Sequence, residues 1–195
     1  MKELQSLGSE CIYVAAGVHK SEEMEKVFKI IDEKYSSLDG VIFAPTSSDS
    51  SLFRSLNELT PDDVNLQFDP KIEGVQVLAE LIKTRKPDFC LLMSSISSIV
   101  GGLGFAAYSS ANIYLDYFAG TRDSSETRWI SVNWEGWDIE NKETRFDYNN
   151  ASVTDYFMSI AEGIEAMERV LALRNIPQVA VSSVPLSGRL KKMGL

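Results

Sequence analysis

The 195-residue chain reads as an α/β fold, a doubly wound parallel sheet, on three observations. Short apolar runs alternate with longer stretches of helical periodicity, the order that a parallel sheet with helical crossovers demands. The runs DGVIFAP (39–45), PDFCLLMS (87–94) and RWISVNW (128–134) are apolar enough to be strands covered on both faces. Polar residues gather just beyond the run 87–94, at the carboxyl edge where open α/β sheets collect ligands. The length suits one domain with a substantial core.

Each element has a local reason. Residues 11–15 (CIYVA) form a short strand-like run, and 21–34 place Met24, Val27, Phe28 and Ile31 at helical spacing between charges. The strand 39–45 is followed by a serine-rich loop over 46–51. Thr60, Pro61, Asp62 and Asp63 give a helix start: a capping hydroxyl, proline in the first turn, then acids. Pro70 breaks that pattern, and Asp69 is placed to cap a second helix over 70–84 that ends before Pro87. Lys71 then falls in a first turn, where the helix dipole disfavours a cation. A solvated lysine and a functional one both fit. The helix 105–119 follows the strand 87–94, and strand 128–134 leads into a polar, aromatic-dotted stretch, 135–157, read as a loop or lid. Ile160, Ile164, Met167 and Leu171 mark one face of a helix over 159–173, before a last strand at 178–182 and a short basic tail.

Composition excludes several functions. Nineteen basic against 28 acidic residues give a net charge of −9, which argues against nucleic acid and anionic membranes as partners. His19 is the only histidine, and the two cysteines, Cys11 and Cys90, sit in apolar runs as buried, inert thiols. A histidine metal site, a Ser–His–Asp triad and a disulfide framework all fail on these counts. No run approaches a membrane span and no signal peptide is recognisable, so the expected address is the cytoplasm.

Ser95, Tyr108 and Asn112 follow at intervals of thirteen and four, in LLMSSISSIVGGLGFAAYSSANIYLDYFAG. Tyr108 and Asn112 share a helix face, while Ser95 lies beyond the strand end. A phenol beside a hydroxyl at this edge is the chemistry of carbonyl reduction: the tyrosine gives a proton to the developing alkoxide and the serine holds the carbonyl oxygen. A nearby cation would lower the phenol pKa from about 10.

The serine thirteen residues before the tyrosine resembles the short-chain dehydrogenase/reductase superfamily. Most members continue Tyr-x-x-x-Lys. Here Asn112 stands at that position and the lysine appears upstream as Lys71 in FDPKIEGVQVL, an exchange similar to the ketoreductase domains of modular polyketide synthases. SSLDGVIFA, YSSANIYLDYFA, ISVNWEGW and EGIEAMERVL fit the same pattern in the same order. The resemblance implies a Rossmann-like fold and NADPH as hydride donor. It implies as substrate a ketoacyl thioester held by phosphopantetheine on an acyl carrier protein. Tyr108 becomes the proton donor, Ser95 the carbonyl partner, Lys71 the cation assisting the tyrosine, and Asn112 the orienting amide. Trp134 and Trp137 are candidates either to line the substrate channel or to pack in the core.

The chain departs from the family at its cofactor positions. Gly17-Val18 stands where the family carries Asp-Val against the adenine, and Ala44-Pro45-Thr46 replaces Ala-Ala-Gly in the loop around the cofactor. The resemblance nonetheless implies cofactor contacts at Gly17, Ala44, Pro45 and Tyr108. No Gly-x-Gly-x-x-Gly turn follows a first strand. The sheet is therefore expected to be N-terminally incomplete, with residues 1–195 the C-terminal portion of one catalytic domain. The run 11–15 would then be an orphan third strand, two places from its neighbours. Such a chain would be completed by a missing N-terminal half or by neighbouring synthase domains. The alternative is a non-catalytic structural or docking subdomain that has lost its cofactor.

Overall fold

The computed structural model describes residues 1–46, 50–122, 126–138 and 156–192. In chain order these form α1 (Lys2–Ser6), α2 (Ser21–Lys34), β1 (Gly40–Phe43), α3 (Pro61–Phe68), a π-type turn (Asp69–Glu73) and α4 (Gly74–Ile82). There follow β2 (Phe89–Ser95), α5 (Ser97–Val100), α6 (Ala106–Gly120), β3 (Arg128–Trp134), α7 (Ile160–Ala172), β4 (Gln178–Ala180) and α8 (Leu186–Lys192). Most of the loop or lid expected over 135–157 lies outside the described residues.

The sheet runs β1-β2-β3-β4 with every pair parallel. Parallel pairing brings all carboxyl ends to one rim, and the register sets Ser95 opposite Trp134 there. One face of the sheet is covered by α2, α4 and α6, where Phe28, Val75, Leu78, Ile82, Leu115 and Phe118 pack on Phe43, Cys90, Leu92 and Trp129. Leu91, Ile130 and Val132 turn to the opposite face and meet Met158 and Val170 of the α7 region. Helices on both faces make the sheet doubly wound, as the alternation predicts.

Several elements differ from the sequence reading, each for a physical reason. Residues 11–15 form no strand: Tyr13 is 76% exposed and Ile12 42%. Among the described residues no strand pairs with the outer edge of β1, so the run has no ladder to join. Cys11 is correspondingly only partly buried, whereas Cys90 is fully buried in β2. Asp69 does not cap a second helix. Its backbone is helical, and α3 continues through the π turn into α4, because the missing Pro70 donor is absorbed by the wider turn. Lys71 thus meets no helix terminus. On α7, Ile160 and Ile164 are about half exposed, and the buried side is Gly163, Ala166, Met167 and Val170. A Cβ at Gly163 would stand 2.4 Å from the Trp137 ring, so the glycine is what lets this face close. The basic tail is helical through Lys192.

Leu92, wholly buried where β2 meets α4 and α6, sets the expected scale of core packing. Leu92→Ala is expected to lower the free energy of unfolding by about 2–5 kcal/mol. Leu66→Ala, on an exposed side chain, should change it by less than about 0.5 kcal/mol. Urea titrations of the two variants against the parent chain check this.

Candidate active site

Three rim segments and one helical turn enclose a cavity of about 800 Å³ at the carboxyl ends of β1, β2 and β3. Ala44 and Pro45 reach it from β1, Ser95 from β2, Glu135 and Trp137 from β3, and Lys71 and Tyr108 from the helices. The volume is that of a site for a small organic ligand or cofactor.

Tyr108 stands in the first turn of α6 with Phe53 and Phe105 around its ring, at centroid distances of 5.4 Å and 5.9 Å. Gly104, at φ +81, opens α6: a Cβ there would lie 3.3 Å from the Phe53 carbonyl oxygen and strain the turn. Burial pushes the phenol pKa up, and hydrogen bonding by the Ser95 and Asn112 side chains pulls it back. Ser95 is the last residue of β2, and its Oγ also accepts the Ser97 amide at 3.2 Å. Asn112, fully buried, donates from Nδ2 to the Tyr108 carbonyl at 2.9 Å. Its Oδ1 is buried and has no hydrogen-bond partner among the described residues.

Lys71 arrives from the π turn, 5% exposed. Its Nζ donates to the Met93 carbonyl at 3.3 Å and lies 5.7 Å from the Tyr108 ring centroid. Burial lowers its pKa to about 8, with the negative charge of Asp116 opposing the fall. Lys71 lies within the π turn itself, between α3 and α4. All four residues expected at the catalytic centre are therefore brought together.

The cofactor positions divide. Ala44, Pro45 and Tyr108 line the cavity, and Gly17 does not. The Gly17 amide donates to the Glu23 carboxylate at 2.7 Å, and Val18 packs into the core against Gly74. Trp134 and Trp137 serve both readings: their rings are paired at 5.3 Å in the second core cluster, and both border the cavity.

Sequence reasoning missed two polar constellations. Asp116 accepts from Ser131 Oγ at 2.6 Å and from Asn133 Nδ2 at 2.7 Å. Glu135, 3% exposed, is paired with Arg189 of α8, whose guanidinium stacks 4.5 Å from the Tyr156 ring centroid. Asp116 could have been found, because it repeats the four-residue step from Tyr108 to Asn112. No local signal links Glu135 with Arg189.

Comparison with known proteins decides the family. Residues 1–139 match the model of the KR domain. The chain belongs to the ketoreductase domain family of polyketide synthases. Polyketide synthase PksN of Bacillus subtilis (strain 168) is 32% identical over 184 residues, covering 88% of this chain and 3% of that protein. A solved ketoreductase domain from the bacillaene assembly line is 27% identical with a TM-score of 0.82, over 98% of this chain and 47% of that one. An alcohol dehydrogenase from the archaeon Thermococcus sibiricus, solved with 5-hydroxy-NADP, shares the fold at 18% identity and a TM-score of 0.74, over 94% of this chain and 79% of that one. The ketoreductase chain described here thus spans under half of its solved ketoreductase relative and a small part of the synthases. Its Rossmann-like sheet and its family stand where the sequence put them.

Lys71 generates a stability prediction. Its folded pKa lies below the unfolded value, so the unfolded chain binds the proton more tightly between about pH 8 and 10.5. Stability from this group therefore rises with pH through that window, and its burial cost is full at pH 7. Lys71→Met is expected to stabilise the chain at pH 7, by up to about 3 kcal/mol, and the gain should shrink towards pH 10. Denaturant titrations at the two pH values measure it.

Proposed function

We propose that the chain carries the proton-transfer part of an NADPH-dependent ketoreductase that reduces a ketoacyl thioester, held by phosphopantetheine on an acyl carrier protein, to the hydroxyacyl thioester. The observation that carries this reading is the convergence of Lys71, Ser95 and Tyr108, from a π turn, a strand end and a helix, on one cavity, with Asn112 buried behind Tyr108. Membership of the ketoreductase family and the polyketide synthase relatives support the reaction class and the tethered substrate.

The residues suit the chemistry. A phenol kept protonated by burial is a proton donor at neutral pH, and a neighbouring ammonium lets it give the proton up to an alkoxide. The Ser95 hydroxyl, with its oxygen anchored by the Ser97 amide, is hydrogen-bonded to Tyr108 and would turn its donor to the substrate carbonyl when substrate enters. Asn112 is buried behind Tyr108. NADPH, when bound, supplies the hydride. Ala44, Pro45 and Tyr108, which line the cavity, would hold its reactive end. The NADP-type ligand of the Thermococcus sibiricus neighbour is consistent with this. A glycine-rich strand–turn–helix is the proposed complement. It would pair along the open edge of β1, where Ile42 is 55% exposed. No described helix is long and apolar enough to cross a membrane, which accords with the cytoplasmic setting that this reading assigns.

The second reading, a structural or docking subdomain without cofactor, is favoured by two observations. Gly17 is already committed to Glu23, and Pro45 removes a backbone donor from the loop after β1. Trp134 and Trp137 at the cavity make binding measurable by fluorescence. With a complementing glycine-rich half present, addition of NADPH is expected to quench tryptophan emission saturably. Failure to do so would favour the docking role.

For the catalytic reading, the complemented protein should oxidise NADPH in the presence of a β-ketoacyl thioester. Tyr108→Phe should lower kcat by about 10²–10⁴-fold with KM little changed. Steady-state kinetics at 340 nm decide, and a fully active phenylalanine variant would remove the tyrosine from its role.

A further inference from the structure

One buried ion pair on the cavity has no part in the proton transfer. Glu135 follows the last residue of β3, and its side chain is 1% exposed; that of its partner, Arg189 of α8, is 10% exposed. Ser182 Oγ adds a hydrogen bond to the same carboxylate oxygen at 3.4 Å. The guanidinium also lies over the Tyr156 ring, 4.5 Å from its centroid, and Ser183 Oγ donates to the Tyr156 carbonyl at 2.8 Å. Residues 156–158 are tied in turn to the segment beyond β3. The Met158 amide donates to the Gly136 carbonyl at 2.8 Å, and the Asp138 amide to the Met158 carbonyl at 2.7 Å. Glu135, Trp137, Phe157 and Arg189 all line the cavity.

We propose that Arg189 is a positioning residue of the site, whose pairing with Glu135 and stacking on Tyr156 fix α8 and residues 156–158 as the wall of the cavity that bounds the substrate. The substrate side of this rests on the reading of the cavity as a ketoreductase site. Apolar packing does not hold α8: none of its described side chains is fully buried, and none belongs to either core cluster. A buried ion pair is also a poor source of stability, because the cost of taking two charges out of water offsets much of their attraction. What a paired and stacked guanidinium supplies is direction, since its planar fork fixes both the angle and the distance of the groups it joins. Here it joins the end of β3, residue 156 and α8, and it is the described residue of α8 that reaches the cavity. Lys71, Ser95 and Tyr108 stand on other elements. The latch therefore acts on the space the substrate occupies and not on the proton transfer.

The test is amide hydrogen exchange of the full chain carrying Arg189→Met, which keeps much of the apolar length and removes the charge and the fork. The amides of α8, Met158 and Asp138 should exchange about tenfold faster or more, while those of Leu92 and Ile130 in the central strands keep the parent rate. Acrylamide should quench the tryptophan emission more strongly, because Trp134 and Trp137 border the loosened wall. Arg189→Lys should restore part of the protection. Parent-like exchange in Arg189→Met overturns the proposal, as does acceleration spread equally over β2 and β3. Should that variant not fold, Glu135→Gln decides, since it strips the guanidinium of its counter-charge; parent-like exchange there overturns the proposal equally. These readouts need neither cofactor nor turnover, so they stand apart from the ketoreductase reading. With the complementing half present, Arg189→Met should raise KM for a β-ketoacyl thioester by about tenfold and leave kcat within about twofold. A fall in kcat at the parental KM would overturn the assignment of this wall to the substrate.

Discussion

A lysine amine taken out of water beside a tyrosine ring is held at a cost, and much of the fold around the site can be understood as meeting it. Isolated, a buried ammonium gives up its proton rather than its hydration. Among the described residues Lys71 has one direct acceptor, the Met93 carbonyl, and it faces the tyrosine ring. Both are fixed by larger structures: Met93 by pairing in the central strand β2, and Tyr108 by the aromatic pair Phe53 and Phe105. Lys71 reaches this contact from within the π turn that joins α3 to α4, and Pro70, which removes a helical hydrogen-bond donor, lies beside it in that turn.

The second dependence is the polar seam inside the sheet. Apolar contacts on both faces would hold β2 and β3 to the helices without specifying how far α6 slides along them. Ser131, Asn133, Ser94 and Asp116 supply that specification, because hydrogen bonds have length and direction where apolar packing does not. The seam sets the level of α6 relative to the strand ends, and so the distance from Tyr108 to Ser95. Leu92 and its neighbours provide the stability of this layer; the seam provides its register.

Most of this was legible where sequence pattern and local physics agree. The strands 39–45, 87–94 and 128–134 appear as apolar runs, and the capping box of Thr60 and Asp63 forms as its residues dictate. Ser95, Tyr108 and Asn112 could be placed near one another because spacing along a strand–turn–helix fixes position in space, whereas Lys71 entered only through the family resemblance. What failed depended on partners beyond the local segment. The run 11–15 has strand-like composition, but a strand exists only in pairs, and composition does not reveal whether an edge is available. Ile160 and Ile164 satisfy helical periodicity, yet Gly163 wins the buried face because the Trp137 ring needs its space. Pro70 was read as a break, although a helix can widen by a residue instead of stopping. The pairing of Glu135 with Arg189 joins residues 54 apart, and no local rule anticipates it.

On the proposed reading, the same constraints bear differently on the two halves of the reaction. Proton transfer needs side chains at fixed separations, and here each is anchored by elements within residues 53–134: β2, β3, α6 and the π turn. Hydride delivery needs a dinucleotide gripped along its length, from a phosphate-binding turn to the rim of the sheet. Under the proposal, Ala44, Pro45 and Tyr108, which line the cavity, would serve the rim end of that path. At the other end Gly17 is occupied by Glu23 and β1 has an open edge. Under the proposal, the cofactor's grip depends on what pairs with β1. An edge strand with a half-exposed isoleucine favours such pairing, since an added parallel strand satisfies its backbone groups and covers its apolar side chain in one step.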